Sequence, residues 1–132
     1  MVVVDGQGLP LGSQLAPASP GEVTLAETTL DAIEAEKHPA RVIADRGYDS
    51  DLLREALAER GTELICPHRR NRIRPKTQDD RKLRRHRRRW IIERTFAWLG
   101  NFRRLVVRWE RTLLVYRAFF HLACVLIVLR WL

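Results

Sequence analysis

Cysteine is scarce in this sequence, and its scarcity excludes one class of protein. Only Cys66 and Cys124 occur among the 132 residues, far apart, so at most one bridge could form. A small fold held together by disulfides is therefore excluded, and no signal peptide opens the chain. Both observations lead us to expect a reducing, cytoplasmic environment.

Long uninterrupted apolar runs are also absent. The most apolar stretch, residues 112–132, is interrupted by Arg117, His121 and Arg130, and a bilayer requires roughly 20 apolar residues. We interpret residues 111–132 as a buried helix and expect no membrane partner, with a membrane span as the weaker alternative.

Aromatic residues make up only 8% of the chain, but the hydrophobic fraction of 45% is ordinary for a globular protein. A disordered or fibrous protein is therefore excluded. A chain of this length is expected to form one domain, because two would each be too small to bury much apolar surface.

Acidic residues are outnumbered, since 16 Asp and Glu face 24 Lys and Arg, which gives a net charge of +8. This balance favours a polyanionic partner. Twelve of the basic residues lie between Arg69 and Arg89, a concentrated patch that can neutralise several phosphates. A solvated tail or a basic RNA-binding protein would show the same run.

The N-terminal part of the sequence predicts a hairpin and a helix. Apolar runs at residues 2–4 and 9–15 flank Asp5-Gly6, which is typical of a β-hairpin with Asp5 in its turn, or of two adjacent strands. Apolar residues then recur at helical spacing between 19 and 37, with Ser19 as the N-cap and Pro20 as the first helical residue. We expect a helix of about four turns.

Two short apolar runs follow, at residues 41–44 and 62–66, and each predicts a strand. Between them the pattern is helical, with Ser50 or Asp51 as the cap and Gly61 as the stop. This alternation predicts the α/β class with some parallel pairing. We divide the domain into a strand and helix core (1–67), a basic loop (68–78), a helix that carries Glu93 (79–99) and the apolar C-terminal helix (111–132).

Two carboxylates stand out as candidate metal ligands. Asp45 follows a short strand, and open α/β sheets bind ligands beyond the carboxyl ends of their strands. The alternative is that Asp45 caps a turn or pairs with Arg46. Glu93 lies beside the apolar stripe of its helix and shares a face with Arg85 and Arg89, at four-residue spacing. The alternative for Glu93 is an ion pair with Arg89 or Arg94.

Carboxylates from a strand end and a helix suit Mg²⁺, which prefers oxygen ligands, waters and phosphate oxygens. Two such ions would activate a water or a 3′-hydroxyl and stabilise the leaving oxygen of a phosphodiester. Any nucleic-acid phosphodiester enzyme could show this combination.

Two strings of residues are much more specific than either acid alone. Ala-Asp-Arg-Gly-Tyr-Asp-Ser at residues 44–50 and Ile-Glu-Arg-Thr-Phe-Ala-Trp-Leu at 92–99 resemble bacterial insertion-sequence transposases with a DDE catalytic domain. The opening segment, residues 4–11, also resembles the sheet segment after that family's first catalytic strand. The resemblance spans nearly the whole chain.

The resemblance implies a partial ribonuclease H-like fold, with a mixed sheet and flanking helices, that lacks the first catalytic strand. It implies that Asp45 is the second catalytic Asp and Glu93 the catalytic Glu, and that both coordinate Mg²⁺ or Mn²⁺, with two ions in the complete site. It further implies DNA transposition, with terminal inverted repeats and target DNA as partners, oligomerisation when active and association with the nucleoid. The candidate DNA-binding residues are Arg85, Arg88, Arg89, Arg103 and Arg104.

The sequence departs from the family pattern in three places. Arg89 matches an Arg four residues before the Glu, but His86 stands where the family has Tyr and Gly100 where it has Lys. In the family, the first catalytic Asp lies upstream of the segment that residues 2–11 resemble. Asp5 lies within that segment and therefore does not correspond to the first catalytic Asp. We therefore expect little or no activity from this chain alone, and an N-terminal transposase fragment as a possible partner.

Other readings remain open at this point. The chain could be a non-catalytic nucleic-acid-binding remnant or a basic structural protein. Cys66-Pro67-His68 could be half a zinc site, but a core Cys beside a loop His is favoured because no second pair follows. The tryptophans could stack on bases, although core packing is favoured for most of them: Trp90, Trp98, Trp109 and Trp131.

Overall fold

The computed structural model describes residues 1–16, 21–33 and 38–131. The chain opens with a hairpin, in which β1 (Val2–Val4) pairs antiparallel with β2 (Pro10–Ser13). Asp5 shapes the turn, because its Oδ1 accepts hydrogen bonds from the amides of Gln7, at 2.8 Å, and Leu9, at 2.9 Å. The predicted hairpin and the role of Asp5 in its turn are confirmed.

The first helix is shorter than the sequence pattern predicts. A 3₁₀ turn (Glu22–Leu25) leads into α1 (Ala26–Asp31), so the prediction of about four α-helical turns is wrong for the described part. The hydroxyls of Thr28 and Thr29 both donate to the Leu25 carbonyl, a local bond that competes with regular helix. The predicted Ser19 cap, Pro20 and the predicted end of the helix lie outside the described residues.

A second pair of strands confirms the α/β class. Strand β3 (Arg41–Ile43) pairs parallel with β4 (Glu63–Ile65), and α2 (Asp51–Glu59) connects them. Ser50 caps α2 by accepting a hydrogen bond from the Leu53 amide, at 3.4 Å. Gly61, with a φ of +74°, follows the end of the helix as predicted.

The strands do not form the mixed sheet that the resemblance implies. Among the residues described, the antiparallel pair and the parallel pair are two separate sheets of two strands each. Helices cover the hairpin instead, since α1 contacts both of its strands and the later helix that carries Glu93 contacts β1. A core cluster joins α1, α2 and the parallel strands, and its buried members are Ala26, Leu30, Leu53, Leu57, Leu64 and Cys66.

The region from Asp79 to Leu99 is helical, but it is not one regular α-helix. Asp79 caps α3 (Asp80–Leu83), a 3₁₀ segment follows (Arg84–Arg89), and α4 (Trp90–Leu99) completes the region. The 3₁₀ segment consists of five arginines and His86, and like charges three and four positions apart destabilise an α-helix. We call Arg84–Arg89 the basic segment.

The C-terminal helix is not the buried helix that its composition predicts. After a short α5 (Arg103–Val106), α6 (Leu113–Leu129) buries only Phe120, Ala123 and Ile127 among its described side chains. Leu114, for example, is 77% exposed. The buried face packs on α4 through Leu99, with Phe102 and Leu105 beside it, and many of the remaining apolar side chains of α6 are exposed in the described chain. Over the described ranges, no helix combines the length and apolarity that crossing a membrane requires.

Candidate active site

Asp45 follows β3 and caps the turn that comes after it. Its Oδ1 accepts a hydrogen bond of 2.7 Å from the Gly47 amide. Asp45 is thereby the N-cap of a 3₁₀ turn (Arg46–Tyr48). The turn-capping alternative is thus what the structure shows, and no ion pair with Arg46 is present in the described part. The carboxylate remains half-buried at the carboxyl ends of the parallel strands.

Glu93 lies on α4 with 63% of its side chain exposed. Its Oε1 is 3.2 Å from Arg89 Nη2 one turn earlier, which is the ion pair that the sequence left open. Arg94 takes another direction and donates to the Gln7 carbonyl in the hairpin turn. The candidate catalytic acid is therefore accessible, and an exposed pair of this kind holds it only weakly.

The basic segment connects the surroundings of the two acids. It contacts β3, and its His86 is half-buried there, with the Nε2 atom buried and without a hydrogen-bond partner. Burial and the positive charge of Arg89 lower the pKa of His86, while Asp45 opposes them. The pKa of His86 is thus affected both by Asp45 and by Arg89, the residue that pairs with Glu93.

A complete metal site is not present in the part of the chain that the structure describes. No group of three or more His, Cys, Asp or Glu side chains there could hold a metal ion. The Oδ1 atom of Asp5 accepts two amide hydrogen bonds in the hairpin turn, which is the turn role that the sequence predicts.

Among the residues that the structure describes, the most enclosed acid is one to which the sequence analysis gave no role. Asp49, at the other end of the 3₁₀ turn that Asp45 begins, has a side chain only 1% exposed. It accepts hydrogen bonds from Arg54 at 2.8 Å, from the Arg69 amide at 2.8 Å and from Arg72 at 3.3 Å, and contacts His68 Nδ1 at 3.0 Å. These donors outweigh burial and hold the pKa of Asp49 far below its usual range.

The network around Asp49 orders the loop that the sequence presents as a run of positive charge. Arg69 also donates to the Gly47 carbonyl at 2.7 Å, which ties the loop to the turn of Asp45. Arg72 and Arg74 both pair with Asp51, at 2.8 and 3.1 Å. The charges of Arg72 and Arg74 are therefore paired with neighbouring acids and serve the fold.

Cys66 and His68 are separate parts of the structure. Cys66 is fully buried in the core, and Arg54 Nη2 donates to its sulfur at 3.1 Å. His68 contacts Asp49 and accepts a hydrogen bond from the Thr77 amide at 3.2 Å. This arrangement is the core Cys beside a loop His that the sequence favoured.

The candidate DNA-binding arginines divide into two groups. Arg85, Arg88 and Arg103 are exposed and form no ion pair with any acid in the described chain. Arg89 pairs with Glu93, and Arg104 pairs with Glu110 at 2.9 Å. Within the basic segment, the residues without an ion pair to a described acid form an almost continuous exposed run: Arg84, Arg85, Arg87 and Arg88.

The tryptophans are mostly not core residues, contrary to the sequence analysis. Trp90, Trp109 and Trp131 are 54%, 76% and 52% exposed, and only Trp98 is half-buried.

Comparison with known proteins gives consistent results. The family described as "Transposase DDE domain" matches residues 1–128. A putative transposase for insertion sequence element IS402 from Burkholderia cepacia is 40% identical over 96% of this chain, which spans 60% of that relative. A putative transposase for insertion sequence element IS6501 from Brucella ovis is 34% identical over 97% of this chain and 95% of its own length. No solved structure matches.

Proposed function

The chain belongs to the transposase DDE domain family, and from this premise we propose that it is part of a catalytic domain that cuts and joins DNA. The proposed reaction is metal-dependent phosphodiester cleavage and strand transfer of an insertion sequence, on a partial ribonuclease H-like fold. The observation that carries the proposal is the basic segment, which runs from the neighbourhood of Asp45 to the ion-pair partner of Glu93.

The basic segment and its neighbours would bind the phosphates of the DNA. Arg85, Arg88 and Arg103 are exposed and have no competing acid among the described residues, so they can reach a backbone without breaking an ion pair. Arg89 would have to leave Glu93, a small cost for an exposed pair. Arg104 would likewise exchange Glu110 for a phosphate. Each such contact releases counterions and makes binding sensitive to salt.

Asp45 and Glu93 are the residues that would hold Mg²⁺ or Mn²⁺, with two ions in the complete site. Their chemistry fits, because hard divalent cations take carboxylate oxygens together with waters and phosphate oxygens. When bound, such ions activate a water or a 3′-hydroxyl and stabilise the leaving oxygen. Two acids make an incomplete ligand set, so we expect weak metal binding and little or no activity from this chain alone.

The incomplete set of metal-binding acids also leads to a proposal about protein and DNA partners. The chain spans 60% of the IS402 relative, and Asp5 is committed to its turn. We propose that an N-terminal transposase fragment supplies the missing Asp, and that the assembled protein acts as an oligomer. Its DNA partners would be the element's terminal inverted repeats and the target DNA.

Nicking of donor-end DNA with Mg²⁺ or Mn²⁺ tests the proposal, with this chain alone and mixed with a polypeptide encoded upstream. We expect activity only in the mixture, and its loss in Asp45→Asn and Glu93→Gln. Glu55→Gln is the matched control, since Glu55 is an exposed acid on α2 outside the basic segment. Nicking that survives in both site variants would overturn the assignment.

A second candidate function is a remnant that binds nucleic acid without cutting it. The absence of a three-donor metal cluster within residues 1–16, 21–33 and 38–131 favours it. Salt-sensitive DNA binding with no nicking in any mixture would establish this alternative. A basic structural protein would be indicated instead by two results together. Glu93→Gln would keep all nucleic-acid binding without nicking, and substitution of Arg85, Arg88 or Arg103 would leave that binding unchanged.

A further inference from the structure

The outer face of α6 carries apolar residues in a regular order. Val115, Ala118, Leu122, Val125 and Leu129 follow one another at alternating spacings of three and four residues, and all five are exposed. Residues at this spacing form one stripe along a helix, and such a stripe is the surface on which two helices pack in a coiled coil. We call these five residues the seam of α6.

The seam and its neighbours form an apolar surface of the size that protein interfaces use. Leu122, Val125 and Leu129 are between 52% and 57% exposed, and Leu114 and Leu126 widen the stripe. With the rest of the seam, these side chains offer on the order of 600 Å² of apolar surface, and each partner of a stable interface buries roughly 800 Å² of all kinds. An exposed apolar patch of this size marks an interaction surface, and the flanking polar side chains supply the remaining area.

The opposite face of α6 keeps the helix in place. Phe120, Ala123 and Ile127 are buried, and they pack in one cluster with Leu99 of α4. A partner therefore meets a helix that is already formed, so binding does not cost the ordering of α6. Beside the seam, a groove of about 320 Å³ opens between α5 and α6, and Leu122 is one of its lining residues. This groove has room for a side chain of the partner.

The charges around the seam limit what can cover it. No Asp or Glu occurs among residues 111–132, and Arg117, next to the seam, is exposed without an ion pair to any described acid. The face therefore offers apolar packing, and it disfavours a partner that sets cations against Arg117. Among the described helices, α2 and α4 bury an apolar stripe of their own, for example Leu53 and Leu57 of α2. The described helix that leaves a stripe at this spacing uncovered is α6 itself.

We propose that the seam of α6 packs antiparallel on the seam of a second copy of this chain. In a symmetric pair, the register that sets Ala118 of one copy against Leu122 of the other also sets Val115 against Val125. A small side chain thus faces a large one, and Arg117 lies roughly two turns from its counterpart. A parallel pair would set Arg117 directly against its counterpart, and the two like charges would repel each other.

This pairing gives a surface to the oligomer of the proposed function, on which it rests in that respect alone. It is measured without DNA or metal, so the pairing and the proposed catalysis can fail independently of each other. Sedimentation velocity of the full chain over a wide range of protein concentration is the measurement, and we expect a monomer–dimer equilibrium.

A charged side chain in the middle of the seam should prevent the pairing. We expect Leu122→Glu to raise the dimer Kd by roughly a hundredfold or more, because each copy would bury a carboxylate in an apolar contact. Leu52→Glu is the matched control, since Leu52 is 78% exposed on α2, and it should dimerise like the unmodified chain. A mixture of Leu122→Glu with Ala118→Lys sets Glu against Lys across the antiparallel pair. The mixture should regain dimerisation that each variant alone has lost, which a folding defect would not allow.

Three results would contradict the pairing. A chain that stays monomeric at every concentration would overturn it, as would a dimer that Leu122→Glu leaves unchanged. Rescue of Leu122→Glu by Leu122→Lys, but not by Ala118→Lys, would exclude the antiparallel register. A monomer that binds the polypeptide encoded upstream, and loses that binding in Leu122→Glu, would show that a different partner covers the seam. The nicking of donor-end DNA tests the proposed catalysis separately in each case.

Discussion

The hydroxyl of Thr95 donates a hydrogen bond of 2.6 Å to the carbonyl oxygen of Gly8, although the two residues are 87 positions apart. Thr95 is fully buried on α4, two residues after Glu93. This bond, with the neighbouring bond from Arg94 to Gln7, fixes the hairpin turn against the helix that carries the candidate catalytic acid. The position of that helix therefore depends on the first residues of the chain.

Substitution of Gly8 by Ala should destabilise the fold. Gly8 has a φ of +87°, and an added Cβ would lie 3.0 Å from Thr95 Oγ1 and 3.1 Å from the Arg94 guanidinium. We expect a loss of about 1–3 kcal/mol in the free energy of unfolding, measured by urea denaturation. Gly21→Ala is the control, since no atom lies within 4 Å of its added Cβ, and it should change stability little. Equal stability of the two variants would contradict this account of the turn.

Substitution of Asp49 by Asn should be among the most destabilising single changes. The buried carboxylate pairs with Arg54 and Arg72, and although Arg72 would keep its pair with Asp51, removal of Asp49 would leave the enclosed Arg54 guanidinium without its acid partner. Breaking a buried pair from one side costs about 3–5 kcal/mol. Denaturation should show this loss, while Asp31→Asn, which removes an exposed pair with Arg60, should have little effect. A small effect at both positions would show that the Asp49 network is not needed for the fold.

The same carboxylate predicts how stability depends on pH. The pKa of Asp49 is lowered in the folded chain, mainly because Arg54, the Arg69 amide and His68 offset the cost of burial. Its contribution is therefore present above the unfolded pKa, about 4, and is lost as pH falls toward the folded pKa. The denaturation midpoint should drop between pH 5 and pH 3, and less steeply in Asp49→Asn. Parallel profiles for the two proteins would argue against this linkage.

The two faces of α6 should respond differently to truncation. Ile127 is 3% exposed, so Ile127→Ala should cost about 2–5 kcal/mol, through lost burial and the cavity left behind. Leu114, on the same helix, is 77% exposed, and Leu114→Ala should change the unfolding free energy of the isolated chain little. Thermal denaturation of both variants measures the difference. A large loss in Leu114→Ala would mean that this residue is covered in solution.

Both cysteines should react slowly in the folded chain. Burial raises the pKa of Cys124 to about 11, and it also raises that of Cys66. The reactive thiolate is therefore rare at pH 8, and access is limited as well. Iodoacetamide should modify both positions only after unfolding, as followed by mass spectrometry of Cys66→Ala and Cys124→Ala. Rapid modification of either native thiol would contradict the burial described.

The local parts of the fold could be predicted from the sequence. Asp5 forms the hairpin turn, Ser50 caps α2, and Gly61 with its positive φ follows the end of α2, all as their residue types predict. The reason is that turns and caps depend on backbone groups within four residues. The parallel pairing of β3 and β4 was also predictable, because a helix separates two short apolar strands.

The candidate site was predictable only in part. The two motifs predicted the family, which the comparisons show. The catalytic roles of Asp45 and Glu93 remain predictions, because the described structure shows one as a turn cap and the other in an ion pair with Arg89. The role of Asp49 was missed, since four of its contacts come from residues that follow it by 5 to 23 positions.

The sequence by itself determined the family, the α/β class and individual turns and caps such as those at Asp5 and Ser50, because these depend on residue type and short-range spacing. Only the tertiary structure decided which arginines are neutralised, which face of α6 is covered and that Trp90 is exposed. The physical reason is that ion pairing and burial depend on which distant segments meet. A run of arginines has the same sequence whether its charges face acids such as Asp51 or the solvent.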